Sequence, residues 1–471
     1  MNLKFTNSFF NFSNRNDLTA IINSRISVSY KELFSEANKT ASMFLNRGIK
    51  KHDYIPLLIE DNYLFIKSAI AIWYLGAIPV VLNTRLLDDE VNSILNDHDF
   101  KFLIIDKSSS FNASKKGLQI IDLNEIPIAN FDIKNYQSPD ADDEAVVIFT
   151  SGSSGSPKGI VHTFSSLINN IQNSNRILNH KEKDRWLASL PFYHIGGFQI
   201  ICRSLFYGCS IIFPQSLQTQ DLEKSVKEFN PTHISLVSTQ LQRLIHQNIL
   251  ANHSLRVSLI GGGLIDDELM LEAEKLGWKP YRVYGSSETG SMITAISADE
   301  ITAKPQSAGK AFDNIEIKIS NESEILIKSN SLFKYYLNDE KETSSKLINR
   351  WYRSGDLGFI DTEGYLFIEA RRTDLIVSGG ENVNPLEVEK VILQIPSIKD
   401  VCVFPKQNKT WGQIVACALV CDYQTIGEKN IKDFLKQNLA GYKIPKQYFF
   451  VDELPRTSLG KLEREKIKKM F

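Results

Sequence analysis

Through the first 370 residues, short apolar runs alternate with longer stretches of helical periodicity. YIPLLIE gives way to YLFIKSAIAIWYLG, AIPVVLN to LLDDEVNSILNDH, SIIFP to LEKSVKEFN, and THISLVS to TQLQRLIHQNIL. Short apolar runs bounded by turn signals read as buried strands, and i, i+3, i+4 apolar spacing reads as amphipathic helix. Their alternation predicts α/β layering with largely parallel sheets. Past about residue 310 the texture changes. IEIKIS, EILIKS and GFIDTEGYLFIEA read as β-hairpins, with DTEG (361–364) as a tight turn. A second shift falls near Arg372. In NVNPLEVEKVILQI, Asn384 is a helix N-cap, Pro385 the first helical residue and Glu387 the third. A compact αββα-like module follows to Phe471. The expected organisation is a large N-terminal domain, residues 1–372, of layered α/β subdomains plus a β-rich part, and a small α+β C-terminal domain, residues 373–471.

Composition narrows the function classes. A chain of 471 residues exceeds one ordinary core and calls for two or more domains. Basic and acidic residues balance, 54 against 55, so no global basic field points to nucleic acid. The apolar stretch AIAIWYLGAIPVVL (69–82) is too short for a membrane span and holds Gly76 and Pro79. The N-terminus MNLKFTNSFFNFSNRND lacks the long apolar segment and cleavage site of a signal peptide. None of the five cysteines forms a CxxC pair, and core packing is the reading preferred over a metal site. Cys417 and Cys421 are spaced to share one face of a strand. A reducing, cytoplasmic setting is expected.

The chemistry starts in IFTSGSSGSPKGIVHT (148–163), where an apolar strand runs into a loop of Gly, Ser and Thr ending in Lys158. Small residues let backbone N–H groups approach an anion closely. The P-loop pattern GxxxxGK[ST] fails here, because the lysine follows Pro157 and no Ser or Thr comes after it. A phosphate loop of another kind and a surface linker both remain open on composition.

TSGSSGSPKG resembles the phosphate loop of the acyl-adenylate-forming superfamily: acyl- and aryl-CoA ligases, peptide-synthetase adenylation domains and luciferases. Further motifs similar to that family's follow in order: LPFYHIGG (190–197), IGGGLI (260–265), YGSSETG (284–290), YRSGDLG (352–358), RRTDLIVSGGENVNP (371–385) and PRTSLGK (455–461). They span nearly the whole chain. Chain length, SLVSTQLQRLI (235–245) and SGGENVNP resemble most the branch that ligates 2-succinylbenzoate to coenzyme A in menaquinone synthesis.

The resemblance implies two half-reactions. A carboxylate attacks the α-phosphate of ATP, releasing pyrophosphate, and a thiol then displaces AMP. The implied co-substrates and cofactors are ATP, Mg²⁺ and coenzyme A. The implied partners are small molecules, with no nucleic acid and no membrane span; a homodimer stays open. Thr150, Ser151, Gly152, Ser153, Ser154, Gly155 and Lys158 would cradle the β- and γ-phosphates. Glu288, with Thr150, would hold Mg²⁺, an ion suited to a carboxylate and phosphate oxygens. Tyr284 would lie against adenine. Gly261, Gly262 and Gly263 would let the base pass along a backbone edge, and Gly285, Ser286 and Ser287 would continue that wall. Asp356 would accept from the ribose hydroxyls, with Arg371 nearby. Lys461 would bridge the carboxylate and the α-phosphate.

The family's C-terminal domain is mobile and rotates between the two steps, with the hinge after Arg371. Thr373 departs from the Asp or Lys of many members, though the succinylbenzoate branch also has a small hydroxyl residue there. Gly379 and Gly380 would line the pantetheine tunnel. His194, set among apolar residues, reads equally as a packed core histidine and as the gate of the acyl site. Gln240, Ser286, Ser287 and Thr289 are candidates for a polar group of the acid. Arg203 is the nearest cation for a second carboxylate, unless it faces solvent. Loading a carrier protein's phosphopantetheine is the alternative to coenzyme A. A degenerate ATP-binding protein would have lost Glu288, Asp356 or Lys461, and all three are present.

Overall fold

The structure is a computed structural model that describes residues 15–106, 111–124, 139–150, 157–262, 265–370, 376–421, 426–455 and 464–471. Two large sheets and a smaller third one organise it. In the first, the strands Thr19–Ile22, Ser210–Ile212, Arg185–Leu187, His233–Val237, Val257–Gly261 and Pro280–Ser286 run parallel in that spatial order. The second runs parallel from Gln119–Asp122 through Phe102–Ile105, Tyr54–Leu58 and Ile78–Val81 to Glu144–Thr150, where Lys158–Thr163 pairs antiparallel. The α/β reading of the sequence therefore holds.

Helices fill the space between these sheets. Asn62–Tyr74 has buried residues on almost every side, because it packs among other elements rather than along the surface. Its Trp73, 1% exposed, meets Phe164 edge-on at 5.6 Å and Phe198 at 6.0 Å, and donates its indole N–H to the Ala145 carbonyl at 2.6 Å. Truncating such a side chain to alanine costs about 3–5 kcal/mol. This core fixes the strand ends that carry the site.

Antiparallel pairing begins earlier than the texture change near residue 310 indicates. Ser291–Ser297 already runs back along Pro280–Ser286. The cause is local: Ser287–Thr289 form a single 3₁₀ turn that ends at Gly290, with φ +72°. A side chain at Gly290 would also crowd the Ser331 carbonyl at 3.0 Å. The hairpins read from IEIKIS, EILIKS and GFIDTEGYLFIEA are present: Ile315–Ile319 pairs with Glu324–Ser329, and Trp351–Ile360 with Leu366–Ala370.

The third sheet holds Glu381–Val383, Ile376–Ser378, Gly412–Cys421, Ile398–Asn408 and Gln447–Phe450. Pro385 opens the helix Pro385–Ile392 as its sequence predicts. The αββα reading missed two short strands before that helix and the parallel strand Gln447–Phe450. Phe471 stacks on Phe449 at 4.3 Å and on Phe404 at 6.0 Å, closing a small second core. Cys202, Cys209, Cys402 and Cys417 are buried, and Cys417 and Cys421 both pack toward the main core of this domain. Among the described residues, no helix is long and apolar enough to cross a membrane.

Candidate active site

The ends of the first sheet's parallel strands, the 3₁₀ turn and the small domain together enclose a cavity of ≈ 910 Å³. Thr150 and His194 reach it, as do Gly261 and Gly262. Tyr284, Gly285, Ser286, Ser287 and Glu288 form one wall, with Asp356 beside them. Gly379 and Gly380 close the side contributed by the small domain. Six separate motifs thus meet in one space. Ser151, Gly152, Ser153, Ser154, Gly155, Gly263, Arg371, Thr373 and Lys461 lie outside the described residues.

Glu288 is 4% exposed and sits in the 3₁₀ turn. The Tyr336 hydroxyl donates to its Oε1 at 2.9 Å. The turn is held from below by His162, whose Nε2 lies 2.7 Å from the Ser287 carbonyl and Nδ1 3.0 Å from Ser166 Oγ. A carbonyl only accepts, so Nε2 carries the proton. Burial lowers the His162 pKa to about 4, against smaller opposing effects of the Ser287 carbonyl and Glu288, so the ring is neutral at pH 7. Thr289 serves the same turn: its hydroxyl accepts from Ser286 N at 2.8 Å and donates to a neighbouring carbonyl. Thr289 is fully buried in that work, so it is not a contact for the acid. The Ser286 hydroxyl, by contrast, is buried on the cavity wall with no protein partner. A buried carboxylate beside hydroxyls is a hard-oxygen set of the kind Mg²⁺ takes.

Tyr284 donates its hydroxyl to Asp356 Oδ2 at 2.7 Å. Burial first, then the Asp356 charge, pushes the Tyr284 pKa well above its ordinary value, so it stays a donor. Gly285 admits no side chain, since a Cβ would lie 2.1 Å from the Ser291 carbonyl oxygen. Lys158 is not on the cavity wall. It pairs with Glu342 at 2.7 Å and lies 5.7 Å from the centre of the Tyr336 ring. It therefore stands behind the tyrosine that holds Glu288.

His194 begins the helix Ile195–Tyr207, and its Nε2 lies 3.0 Å from Glu381 Oε2 of the small domain. Arg85 and the Tyr193 hydroxyl reach Glu381 Oε1 at 3.0 and 3.3 Å. Burial alone would raise the Glu381 pKa, but the His194 contact, Arg85 and Tyr193 outweigh it and hold the carboxyl below its usual range. The ambiguity over His194 resolves in favour of a cavity residue, 34% exposed, that meets the other domain. Sequence reasoning singled out neither Glu381 nor Arg85. Glu381 does stand inside SGGENVNP, directly after the two glycines, which was the available signal. Gly380 has φ +89°, and a Cβ there would approach Val237 Cγ1 to 3.1 Å. A Cβ at Gly379 would meet the Trp411 ring at 2.7 Å.

Gln240 is tied into the fold: its amide accepts from Val237 N at 3.1 Å and donates to the Ser189 carbonyl at 3.0 Å. Arg203 does not face solvent. It lines the cavity at 1% exposure, donates to Asn170 Oδ1 at 3.2 Å and lies 5.4 Å from the Trp186 ring. Burial drops its pKa to about 10, and no carboxylate is among the groups acting on it.

His180, Asp184 and His233 also gather within 4.8 Å of one another, away from this cavity. Arg256 lies 2.6 Å from both Asp184 oxygens, and Lys181 N donates to Oδ2 at 2.7 Å. That carboxylate is engaged by the fold, and the cluster reads as core.

The AMP-binding enzyme family profile matches residues 10–337, and the AMP-binding enzyme C-terminal domain profile matches residues 387–461. A 2–succinylbenzoate–CoA ligase of Bacillus subtilis is 32% identical over 461 residues, covering 95% of this chain and 94% of that protein. One from Listeria monocytogenes is 31% identical, covering 96% of each. Among solved structures, a double mutant of the Bacillus subtilis o-succinylbenzoate CoA synthetase bound with its product analogue is 32% identical. It superposes with a TM-score of 0.92 over 98% of both chains. The same synthetase in complex with ATP and magnesium ion, 31% identical, covers 98% of this chain and 99% of its own but reaches only 0.75. The arrangement here is thus closer to the product-analogue form.

Proposed function

The chain belongs to the AMP-binding enzymes and is an AMP-forming acid–thiol ligase of the acyl-CoA synthetase family; from that premise we propose that its acid is a dicarboxylate, 2-succinylbenzoate, joined to coenzyme A for menaquinone synthesis. The observation that carries this reading is Arg203. Three cations are buried among the described residues: Arg203, Arg282 and Lys443. Arg282 pairs with Asp267, and Lys443 with Glu90 and Glu387. Arg203 has an amide oxygen and an aromatic face but no carboxylate. A buried charge without a counter-ion is costly. On a cavity wall, that cost makes sense when the counter-ion arrives with the ligand. A second carboxylate supplies it, and a simple benzoate does not. The names of the relatives point the same way.

In this reading the nucleophile is the substrate's own carboxylate, and the protein aligns anions. Thr150, Ser151, Gly152, Ser153, Ser154 and Gly155 bind the phosphates, with Lys158 exchanging Glu342 for an anion. Glu288 and Thr150 would hold Mg²⁺, which when bound neutralises phosphate charge. Asp356, oriented by Tyr284, takes the ribose; Gly261, Gly262 and Gly263 flank the base, and Arg371 stands near the ribose. Lys461 bridges the two reacting anions in the first step. In the second, Gly379 and Gly380 admit the thiol-bearing arm, while His194 and Glu381 close the acyl side. The domain boundary lies at residues 372 and 373.

The test is a panel of acids, 2-succinylbenzoate, benzoate, medium-chain fatty acids and coumarate, with Mg-ATP and coenzyme A. AMP and acyl-CoA are measured by chromatography. A strong preference for 2-succinylbenzoate over the monocarboxylates is expected. A preference for a monocarboxylate sinks the dicarboxylate assignment. Adenylate without thioester redirects the acceptor to a carrier protein.

A further inference from the structure

The helix Asp88–Asp97 of the large domain aims a carboxylate into the small domain. Glu90 Oε1 lies 2.5 Å from Lys443 Nζ, and Glu387 Oε1 lies 2.7 Å from the same nitrogen. The lysine side chain is 4% exposed and the two carboxylates 12% and 18%. Glu90 is placed before the lysine arrives, because its Oε2 accepts from Leu87 N at 2.9 Å at the start of its own helix. Glu387 sits in the first turn of the helix Pro385–Ile392. Lys443 and Glu387 belong to one domain and move together; Glu90 belongs to the other. Two further contacts flank this one on the same stretch of chain. Asn83 Nδ2 donates to the Tyr442 hydroxyl at 3.3 Å, and Arg85 holds Glu381.

We propose that Glu90, acting on the Lys443–Glu387 pair, is a positioning residue for the thioester-forming step: it holds the small domain in the orientation that brings Gly379, Gly380 and Glu381 to the cavity. The proposal rests on the two-step reading above. Its physics is an asymmetry between two arrangements. With the domain docked as here, one buried ammonium serves two carboxylates. With the domain turned away, Lys443 keeps Glu387 and stays neutralised, so undocking leaves no unpaired cation in the small domain. Glu90 returns to water at its helix N-terminus, where the backbone N–H groups and the helix dipole favour a negative charge. Neither end state is therefore prohibitive, as a contact that must form and break in each turnover requires. Glu90 touches no residue assigned to ATP or the acid, so its effect should fall on one half-reaction.

Glu90→Gln is the informative change, since it keeps the Leu87 contact and leaves Lys443 paired with Glu387. Two rates are measured. Acid-dependent exchange of pyrophosphate into ATP reports the first half-reaction. Thioester formation from supplied acyl-adenylate and coenzyme A reports the second. Expected are exchange within about twofold of wild type and thioester formation slowed roughly tenfold or more, the loss of about 1.4 kcal/mol of docking energy. The charge-swapped double variant Glu90→Lys with Lys443→Glu restores one ion pair across the domain boundary and should recover part of the second rate. A fluorescent pair on Lys101→Cys and Lys436→Cys reads domain orientation without any turnover. Glu90→Gln should depopulate the wild-type majority state, and the swap should restore part of it. Equal slowing of both half-reactions, or an unchanged distribution with unchanged thioester formation, overturns the proposal. If wild type exchanges pyrophosphate with no acid, the two-step reading fails, and the fluorescence distribution still decides the role of Glu90.

Discussion

Replacing Arg203 by methionine separates the cost of a buried charge from its use. Methionine keeps the aliphatic stem but ends short of the guanidinium carbon, so the charge and its contact with the Trp186 ring are removed together. Burial lowers the Arg203 pKa to about 10, a bias of about 3 kcal/mol against the charged form. Against this stand one hydrogen bond to Asn170 and one ring contact. Such contacts contribute about 1–2 kcal/mol together. Arg203→Met should thus leave the melting temperature unchanged or raise it. Function should move the other way. Asn170 is fixed by its own donations to the Thr289 and Met292 carbonyls at 3.2 and 3.0 Å, and so orients the guanidinium. A hydrogen bond from that group to a substrate carboxylate is worth about 1.5–3 kcal/mol. The kcat/KM for 2-succinylbenzoate should fall roughly 10- to 150-fold, and that for benzoate by less than about twofold. Arg203→Lys, which keeps a charge without the planar fork, should lie between. Equal losses on both acids, together with a lower melting temperature, would refute the reasoning and leave Arg203 as a structural group.

Gly380→Ala introduces a side chain at φ +89° against Val237. The left-handed backbone costs about 1–2 kcal/mol for such a residue, and thioester formation should drop roughly tenfold while pyrophosphate exchange holds. Lys461→Ala should show the converse, with adenylate formation suppressed and thioester formation from supplied acyl-adenylate retained; equal loss of both removes Lys461 from its role. His162 titrates at about 4 in the fold against 6.5 in the unfolded chain. Its contribution to stability is therefore present above pH 6.5 and is lost as pH falls toward 4, by about 3 kcal/mol in all. Denaturant midpoints of wild type and His162→Gln between pH 7 and 4 should converge, because glutamine has no proton to gain. Parallel curves would mean that His162 gains its proton as readily in the fold as in the unfolded chain, and would refute its lowered pKa.

What was legible in the chain, and what was not, divides by sequence distance. Glu288, Tyr284 and the glycines of GSSETG are neighbours in the chain, so local spacing carries their geometry. The strand leading into the Ser/Gly loop, Glu144–Thr150, was readable from its apolar run alone. The antiparallel reversal at Gly290 was not, because one glycine in the left-handed region decides it and GSSETG has no strand periodicity. Glu342, which holds Lys158, is 184 residues away from it, and no pattern near either residue announces the pair. The same holds for Arg85 and Glu381, 296 residues apart.

The Lys158–Glu342 pair lies within the large domain, whereas Arg85–Glu381 joins the two domains, and contacts of this second kind are the ones that motif reading is least able to find. Phosphate binding is built by single loops, whose residues must be small, hydroxylic or acidic wherever they stand. Thioester formation is built by docking, and docking depends on which residue of one domain faces which residue of the other. Lys443 in GYKIP carries no sign in sequence that its partner is Glu90 rather than solvent. Nor does HIGG reveal that His194 meets a carboxylate instead of packing in the core. The two TM-scores against one relative, 0.92 and 0.75 in different complexes, fit such a division. Each domain's own fold follows from its apolar pattern. The orientation between them is set by a few ionic contacts, each small enough to be made and broken.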